Sequence, residues 1–196
     1  MTRIVGGIWG GRRLLTPTGA TTRPTAEKVR AALASSLTAA GGLEGARILD
    51  LFAGSGAIGL ELVSRGASSA VFVERDRAAL AALRSNVETL QAGSGARPAS
   101  ATVTLTVIPG DAAAFAARPT GTGGFDVVVA DPPYDMATAA LLDIYLDLHC
   151  SGLLAPHADL ILERGRRDGE PAWPTPLAGV RTKKYGDTLL CYGRAP

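Results

Sequence analysis

The segment of the chain with the clearest chemistry is Asp131-Pro132-Pro133-Tyr134, which follows directly on an apolar run. An exocyclic amine on a nucleobase is a weak nucleophile, and its nitrogen must become tetrahedral before it can accept a methyl group. The carboxylate of Asp131 and the carbonyl of Pro132 can accept the two N–H groups of that amine and stabilise the tetrahedral geometry. Pro133 stiffens the segment, Tyr134 can stack on an extruded base, and Asp131 can take the released proton. The segment therefore predicts a site that alkylates a base amine.

A glycine-rich segment, residues 50–59, follows a short apolar run and opens a helix-like stretch. Gly54 to Gly59 spell GxGxxG, and Glu74 lies 20 residues after Gly54, a spacing that also fits the dinucleotide site of a nicotinamide-dependent oxidoreductase. The carboxylate of Asp50 would repel a pyrophosphate and attract an ammonium group. Glu74 can accept both hydroxyls of a ribose. These features indicate S-adenosylmethionine, with Asp50 near its amino end and Glu74 on its ribose.

A third segment, Gly110-Asp111-Ala112, ends the next strand-like run. In a parallel sheet this position faces the adenine of a bound nucleoside. Asp111 can accept the amino hydrogens of that base, and the amide of Ala112 can donate to a ring nitrogen. A Gly-Asp pair is also an ordinary start of a helix, so both interpretations of Asp111 stay open.

An alternation of strand-like and helix-like stretches begins near Ala46 and must position these segments. Short apolar runs predict strands, and apolar residues at helical spacing predict helices. The predicted strands span residues 48–52, 70–73, 102–108, 125–130 and 159–163. The predicted helices span residues 57–64, 76–90, 111–117 and 137–149, and a hairpin over residues 180–192 follows them. This pattern predicts a parallel sheet covered on both faces, with an antiparallel strand at one edge.

Residues 1–40 are predicted to form a separate extension, and residues 41–196 the main domain. Strand-like runs at residues 3–5 and 12–15, joined through glycines, predict a hairpin that a helix follows. The extension holds six basic residues against one acid, a net charge of +5, whereas the main domain carries −3. A basic extension on a mildly acidic body indicates contact with nucleic acid. The basic residues are Arg3, Arg12, Arg13, Arg23, Lys28 and Arg30.

Composition excludes several other classes of protein. The 196 residues are 46% hydrophobic and 19% charged, as in a globular domain, and no apolar run approaches the ~20 residues of a membrane span. The first residues lack the apolar core of an export signal. Cys150 and Cys191 lie 41 positions apart without a CxxC pair, which excludes a disulfide framework and a zinc knuckle. We expect a cytoplasmic protein with reduced thiols.

A set of motifs spread over nearly the whole chain carries a resemblance to a known family. These motifs are Arg3-Ile4-Val5-Gly6-Gly7, Trp9, Gly11-Arg12, Arg23-Pro24-Thr25, Asp50-Leu51-Phe52-Ala53-Gly54-Ser55-Gly56, Ser64-Arg65-Gly66-Ala67, Asp131-Pro132-Pro133-Tyr134 and Tyr185-Gly186-Asp187-Thr188. Together they resemble the RsmD-type ribosomal RNA methyltransferases. The chain departs from that pattern in a long, bland loop at residues 92–101, whose role is not evident, and in Glu27, where an aspartate is expected. Neither departure touches the chemistry.

The resemblance implies a Rossmann-like, class I S-adenosylmethionine-dependent methyltransferase fold of α/β class. Its sheet has seven strands with the last strand antiparallel, and a small N-terminal hairpin and helix precede it. The implied reaction moves a methyl group to the exocyclic N2 of a guanine in bacterial small-subunit (16S) ribosomal RNA, free or in an assembled particle. We expect a monomer that needs no metal, because the sulfonium carries its own leaving group. Adenine-N6 methylation of DNA or RNA is the alternative within the methyltransferases.

The predicted site residues fall into three groups. The catalytic group is Asp131, Pro132, Pro133 and Tyr134. The cofactor group is Thr25, Asp50, Phe52, Gly54, Ser55, Gly56, Glu74, Arg75, Asp111 and Ala112. The RNA group is the six basic residues of the extension. The resemblance suggests that the Thr25 hydroxyl bonds the cofactor carboxylate, although Thr25 can equally act as a helix cap.

Overall fold

The structure, a computed structural model, describes residues 2–17, 24–92, 103–118, 124–133 and 135–196, without the side chains of residues 24–26. Its helices are α1 (Pro24–Ala39), α2 (Ala57–Ser64), α3 (Arg77–Ala92), α4 (Ala112–Ala116) and α5 (Thr138–Cys150). Its strands are β1 (Thr2–Arg3), β2 (Arg13–Leu14), β3 (Arg47–Asp50), β4 (Ser69–Glu74), β5 (Thr104–Pro109), β6 (Phe125–Ala130), β7 (Leu154–Gly165), β8 (Ala178–Tyr185) and β9 (Thr188–Arg194).

Seven of these strands form one sheet in the order β5-β4-β3-β6-β7-β9-β8, and β1 pairs with β2 alone. Strands β3 to β7 are parallel, whereas β9 runs antiparallel to both β7 and β8. In the register, Leu49 of β3 lies between Val71 of β4 and Val128 of β6. Strand order reverses at β3, which has β4 on one side and β6 on the other. In an open parallel sheet, a ligand site forms beyond the carboxyl ends of the strands at such a point.

Helices cover both faces of the sheet and bury two apolar clusters. On one face α1, α2 and α3 pack against side chains such as Ile48 and Phe72, and on the other α4 and α5 pack against Leu49 and Val128. The hydroxyl of Tyr145 on α5 is fully buried and donates to the carbonyl of Ile161 at 2.6 Å, which satisfies its polar atom inside the core. No helix in the described ranges is long and apolar enough to cross a membrane.

The N-terminal hairpin packs into the same apolar cluster as the sheet. Its buried side chains are Ile4, Trp9 and Leu14. Glu61 of α2, itself fully buried, accepts hydrogen bonds from the amides of Val5 (2.6 Å) and Gly6 (3.0 Å). Gly7 has a φ of +78°, and a Cβ there would collide with the backbone of Ser64. The hairpin therefore lies directly against α2 and contributes to the common core.

Most predicted elements are present, and α2 and β6 have the predicted bounds. Two differences concern the last strands. Strand β7 begins at Leu154, before the predicted 159–163, and the antiparallel strand β9 lies inside the sheet between β7 and β8. Burial of β9 from Thr188 to Gly193 fits this inner position, because neighbours on both sides remove it from solvent. The predicted loop 92–101 lies outside the described residues beyond Ala92.

Candidate active site at the carboxyl edge of the sheet

Four carboxylates lie at the carboxyl ends of neighbouring parallel strands. Asp50 ends β3, Glu74 ends β4, Asp111 follows β5 and Asp131 follows β6. The backbone ties these ends together, since the amide of Leu51 donates to the carbonyl of Val129 at 3.0 Å. The sheet therefore brings to one edge four side chains that come from four separate motifs, at the point where the strand order reverses.

Asp50 binds the backbone of α2 directly after the glycine-rich turn. Its side chain is 1% exposed, and its Oδ2 accepts the amide of Gly59 in α2 at 3.0 Å. Gly59 must lack a side chain, because a Cβ there would lie 2.5 Å from the ring of Phe72. Burial, together with the charges of Asp131 and Glu74, raises the pKa of Asp50 to about 7 against the opposing effect of the Gly59 hydrogen bond. The neighbouring carboxylates of Asp50 and Glu74 favour a cationic ligand at this edge of the sheet and disfavour a pyrophosphate. Contact between Asp50 and an amino group remains a prediction.

The raised pKa of Asp50 has a consequence for stability. The ordinary value is 3.8 and the folded value about 7, so the folded protein binds this proton more tightly than the unfolded chain does. Stability from this group is therefore greatest below pH 4 and is lost as the pH rises through 7. Between pH 6 and 8 we expect the free energy of unfolding to fall by about 1.4 kcal/mol from this source. Urea titrations of wild type and Asp50→Asn test this, and parallel pH profiles would contradict it.

Glu74 binds the backbone of the glycine-rich turn and of its own loop. Its Oε2 accepts the amide of Gly54 at 2.7 Å, and its Oε1 accepts the amides of Arg75 (2.7 Å) and Asp76 (2.8 Å). Gly54 has a φ of +55°, and a Cβ there would meet no atom within 4 Å. The turn therefore faces open space, and its Gly54 amide is engaged by a carboxylate, an arrangement unlike a phosphate cradle.

Asp111 acts as the N-cap of α4. Its Oδ1 accepts the amides of Ala113 (2.9 Å) and Ala114 (3.2 Å), and its Oδ2 pairs with the exposed Arg75 at 3.4 Å. The helix-cap interpretation of this residue is therefore confirmed, and its contact with an adenine stays a prediction. Gly110 beside it also faces open space, as Gly54 does at the end of β3.

The Asp-Pro-Pro segment leaves β6 beside β3. Asp131 is exposed at the edge, Pro132 is buried, and Pro133 is exposed. The carbonyl of Pro133 accepts the amide of Met136 at 3.1 Å, so the chain turns immediately toward α5. The buried ring of Pro132 anchors this turn while the Asp131 carboxylate stays accessible. Tyr134 lies outside the described residues, as do Arg23 and the side chain of Thr25.

Sequence reasoning missed Asn86, which joins the glycine-rich turn to the extension. This residue of α3 is 3% exposed, and its Nδ2 donates to the carbonyls of Leu15 (3.0 Å) and Ser55 (2.9 Å). Its Oδ1 accepts the amide of Leu15 at 2.8 Å. A polar residue on the apolar face of α3, between Leu83 and Leu90, was the available signal. Asn86 therefore fixes the position of Leu15, where the chain leaves the hairpin, relative to the glycine-rich turn.

Among the basic residues predicted to contact RNA, the assignment of Arg30 is wrong. Its side chain is 6% exposed, and it pairs with the buried Glu61 at 3.7 Å and donates to the carbonyl of Arg3 at 2.6 Å. Burial lowers the pKa of Arg30, opposed chiefly by the charge of Glu61. Arg30 therefore anchors the extension from inside. Four other basic residues of the extension are exposed or partly exposed to solvent: Arg3, Arg12, Arg13 and Lys28.

Comparison with known proteins finds relatives that match most or nearly all of the chain. The sequence profile of the family Conserved hypothetical protein 95 matches residues 2–194. Ribosomal RNA small subunit methyltransferase D of Escherichia coli K12 is 36% identical over 185 residues, which cover 94% of this chain and 85% of that protein. The same named protein of Haemophilus influenzae is 33% identical over 132 residues, which cover 67% of this chain and 63% of that protein.

Solved structures of related proteins have the same fold as this chain. The Escherichia coli protein yhhF superimposes with a TM-score of 0.79 at 33% identity, covering 98% of this chain and 96% of that chain. A hypothetical protein of Thermus thermophilus superimposes with a TM-score of 0.76 at 30% identity, covering 98% of both chains. Magnesium protoporphyrin IX methyltransferase of Synechocystis, solved with bound S-adenosylmethionine, is 14% identical with a TM-score of 0.63 over 91% of this chain and 87% of that one. The last likeness concerns the fold alone.

Proposed function

Because the chain belongs to the family Conserved hypothetical protein 95, the RsmD-type proteins, we propose that it methylates a guanine N2 in bacterial small-subunit (16S) ribosomal RNA, with S-adenosylmethionine as donor. One observation within the fold carries this proposal beyond the similarity. The Asp131-Pro132 pair lies where the strand order of the sheet reverses, next to the carboxylates of Asp50 and Glu74, which suit a cation. A nicotinamide-dependent oxidoreductase, the alternative for the glycine-rich segment, would have no role for Asp131 and Pro132.

The residues present fit S-adenosylmethionine. Gly54 and Gly110 face open space at the ends of β3 and β5, and acceptor side chains line the edge between them. Carboxylates suit an ammonium, a sulfonium and ribose hydroxyls, and each of these occurs in this cofactor. Asp50 would lie toward the amino end and Glu74 toward the ribose. When bound, the cofactor supplies an electrophilic methyl group.

The chain contributes placement and two hydrogen-bond acceptors. The Asp131 carboxylate and the Pro132 carbonyl accept the two N–H groups of guanine N2, which turns the nitrogen lone pair toward the methyl group. Once N2 has taken the methyl group from the sulfonium, it would carry a positive charge and would have to lose one proton. The Asp131 carboxylate accepts that proton and passes it to solvent, because it is exposed at the edge.

The basic extension supplies contact with RNA in this proposal. The side chains of Arg3, Arg12, Arg13 and Lys28 reach solvent on a hairpin and helix held against the main domain by Glu61. Phosphate contacts of this kind fix register and orientation without reading sequence. The protein would act as a monomer on RNA that is either free or part of an assembled particle.

The nature of the product tests the proposal. Purified protein, labelled S-adenosylmethionine and small-subunit ribosomal RNA from cells lacking the protein should yield N2-methylguanine in a nucleoside digest analysed by mass spectrometry. Free RNA and assembled subunits are tested side by side, with large-subunit RNA as the control that should stay unlabelled. Recovery of N6-methyladenine instead would contradict the guanine target while leaving the fold intact.

A further inference from the structure

The edge strand β8 carries two cations that face the same oxygen atom. Arg181 donates from Nη2 to the hydroxyl oxygen of Ser36 on α1 at 2.7 Å, and Lys183 donates from Nζ to that oxygen at 3.3 Å. The guanidinium of Arg181 also lies 4.4 Å above the ring centroid of Tyr192 on β9. The ring and the helix therefore hold both side chains in place. We call these two residues the β8 cation pair.

The β8 cation pair has no anionic partner in the part of the chain that the structure describes. Arg47, by contrast, has a carboxylate partner, Asp126, at 3.0 Å. Two positive charges held beside one neutral hydroxyl repel each other, and an anion placed between them would remove that repulsion. The arrangement therefore favours a ligand with negatively charged oxygens, such as a phosphate group.

The position of the β8 cation pair relates it to the catalytic edge. Lys183 pairs in register with Leu190, and Leu190 pairs with Glu163 of β7. Glu163 is one residue beyond Leu162, which pairs with Ala130 at the end of β6. Lys183 is thus level with Asp131, the next residue of the chain after Ala130. Three strand spacings separate β8 from β6, about 14 Å, or about four nucleotides of duplex rise.

We propose that the β8 cation pair binds a backbone phosphate of the RNA, a few nucleotides from the base held at Asp131. This inference rests on the proposed function for the identity of the substrate. It gives the protein a second RNA contact on the main domain, separate from the basic extension. The opposing explanation is that charged side chains on an edge strand only prevent pairing with other chains, as edge lysines often do.

The salt dependence of RNA binding tests this inference. Full-length wild type and Arg181→Gln/Lys183→Gln are titrated against in vitro transcribed small-subunit ribosomal RNA over a range of salt concentrations. Loss of this phosphate contact should reduce the magnitude of the log–log slope of affinity against salt by roughly 0.7–0.9 units. Affinity for S-adenosylmethionine should not change. The charge-retaining Arg181→Lys/Lys183→Arg should keep the wild-type slope, which separates charge from packing on Tyr192.

A matched control removes the same charge elsewhere. Arg84→Gln/Arg118→Gln changes two exposed arginines of the α3 and α4 regions and should keep close to the wild-type slope. A wild-type slope in the Arg181→Gln/Lys183→Gln protein, or an equal loss in the control, overturns the inference in favour of edge protection. If Arg181→Gln/Lys183→Gln shows the expected slope change but the wild type methylates no RNA, the proposed function is refuted and the phosphate site stands. Wild type without salt-dependent RNA binding refutes the phosphate site whatever it methylates.

Discussion

Asp131→Ala is expected to lower the turnover of methyl transfer by on the order of 10² or more, the usual cost of removing one hydrogen-bonding group that acts in the transition state. The carboxylate accepts an N–H of the target amine and then its proton, and the Pro132 carbonyl cannot do both. Affinity for S-adenosylmethionine should change little, because Asp131 is not among the residues assigned to cofactor binding. Single-turnover rates with saturating RNA, together with calorimetric cofactor titrations, measure the two quantities separately.

Asp135→Ala is the matched control for this prediction. Asp135 is an exposed carboxylate of the same loop, four positions after Asp131, so both variants remove one negative charge beside α5. Near-normal turnover is expected for Asp135→Ala. If Asp131→Ala also turns over at a near-normal rate, the Asp-Pro-Pro segment has no role in the chemistry. Loss of activity through unfolding is recognised by loss of cofactor binding, which the prediction requires to persist.

The strand ends could be predicted from sequence because their signals are local. Glu74 and Asp131 directly follow apolar runs, Asp50 lies within one, and Asp111 follows one after Pro109 and Gly110. Parallel strands place such positions at one edge whatever the strand order. The glycine motif alone fits either of two cofactors, a nicotinamide dinucleotide or S-adenosylmethionine. The combination of Asp50 before it and the Asp-Pro-Pro segment after β6 separated them, since those carboxylates suit a cation and a base amine.

Contacts between distant segments could not be predicted, because no local pattern reveals them. Arg30 reads as one more exposed base on a basic extension, yet it is buried against Glu61, 31 positions away in sequence. Asn86 looks like an ordinary polar residue of a helix, yet it binds both Leu15 and Ser55. The order of the last strands depends likewise on pairing between β7 and β9, which the hairpin sequence leaves undetermined.

The joint between extension and main domain depends on a buried charge cluster around Glu61. Its carboxylate is fully buried and accepts two backbone amides of the hairpin and the Arg65 guanidinium at 2.7 Å, with Arg30 at 3.7 Å. Removing one partner of a buried pair leaves the other charge uncompensated in a low-dielectric interior. Here the uncompensated charge would be that of Arg30, whose pKa burial already lowers. The cluster therefore matters more for stability than an exposed ion pair would.

Glu61→Ala should consequently lower the free energy of unfolding by about 3–5 kcal/mol, a large part of the total for a domain of this size. Urea unfolding measures the loss, and hydrogen exchange at the amides of Val5 and Gly6 should show that the hairpin opens first. Glu27→Ala is the control, because Glu27 meets Arg3 of the same hairpin in an exposed pair at 3.1 Å, worth at most about 1 kcal/mol. Equal losses in the two variants would mean that the extension is held by its apolar side chains and that Glu61 contributes no more than a surface charge.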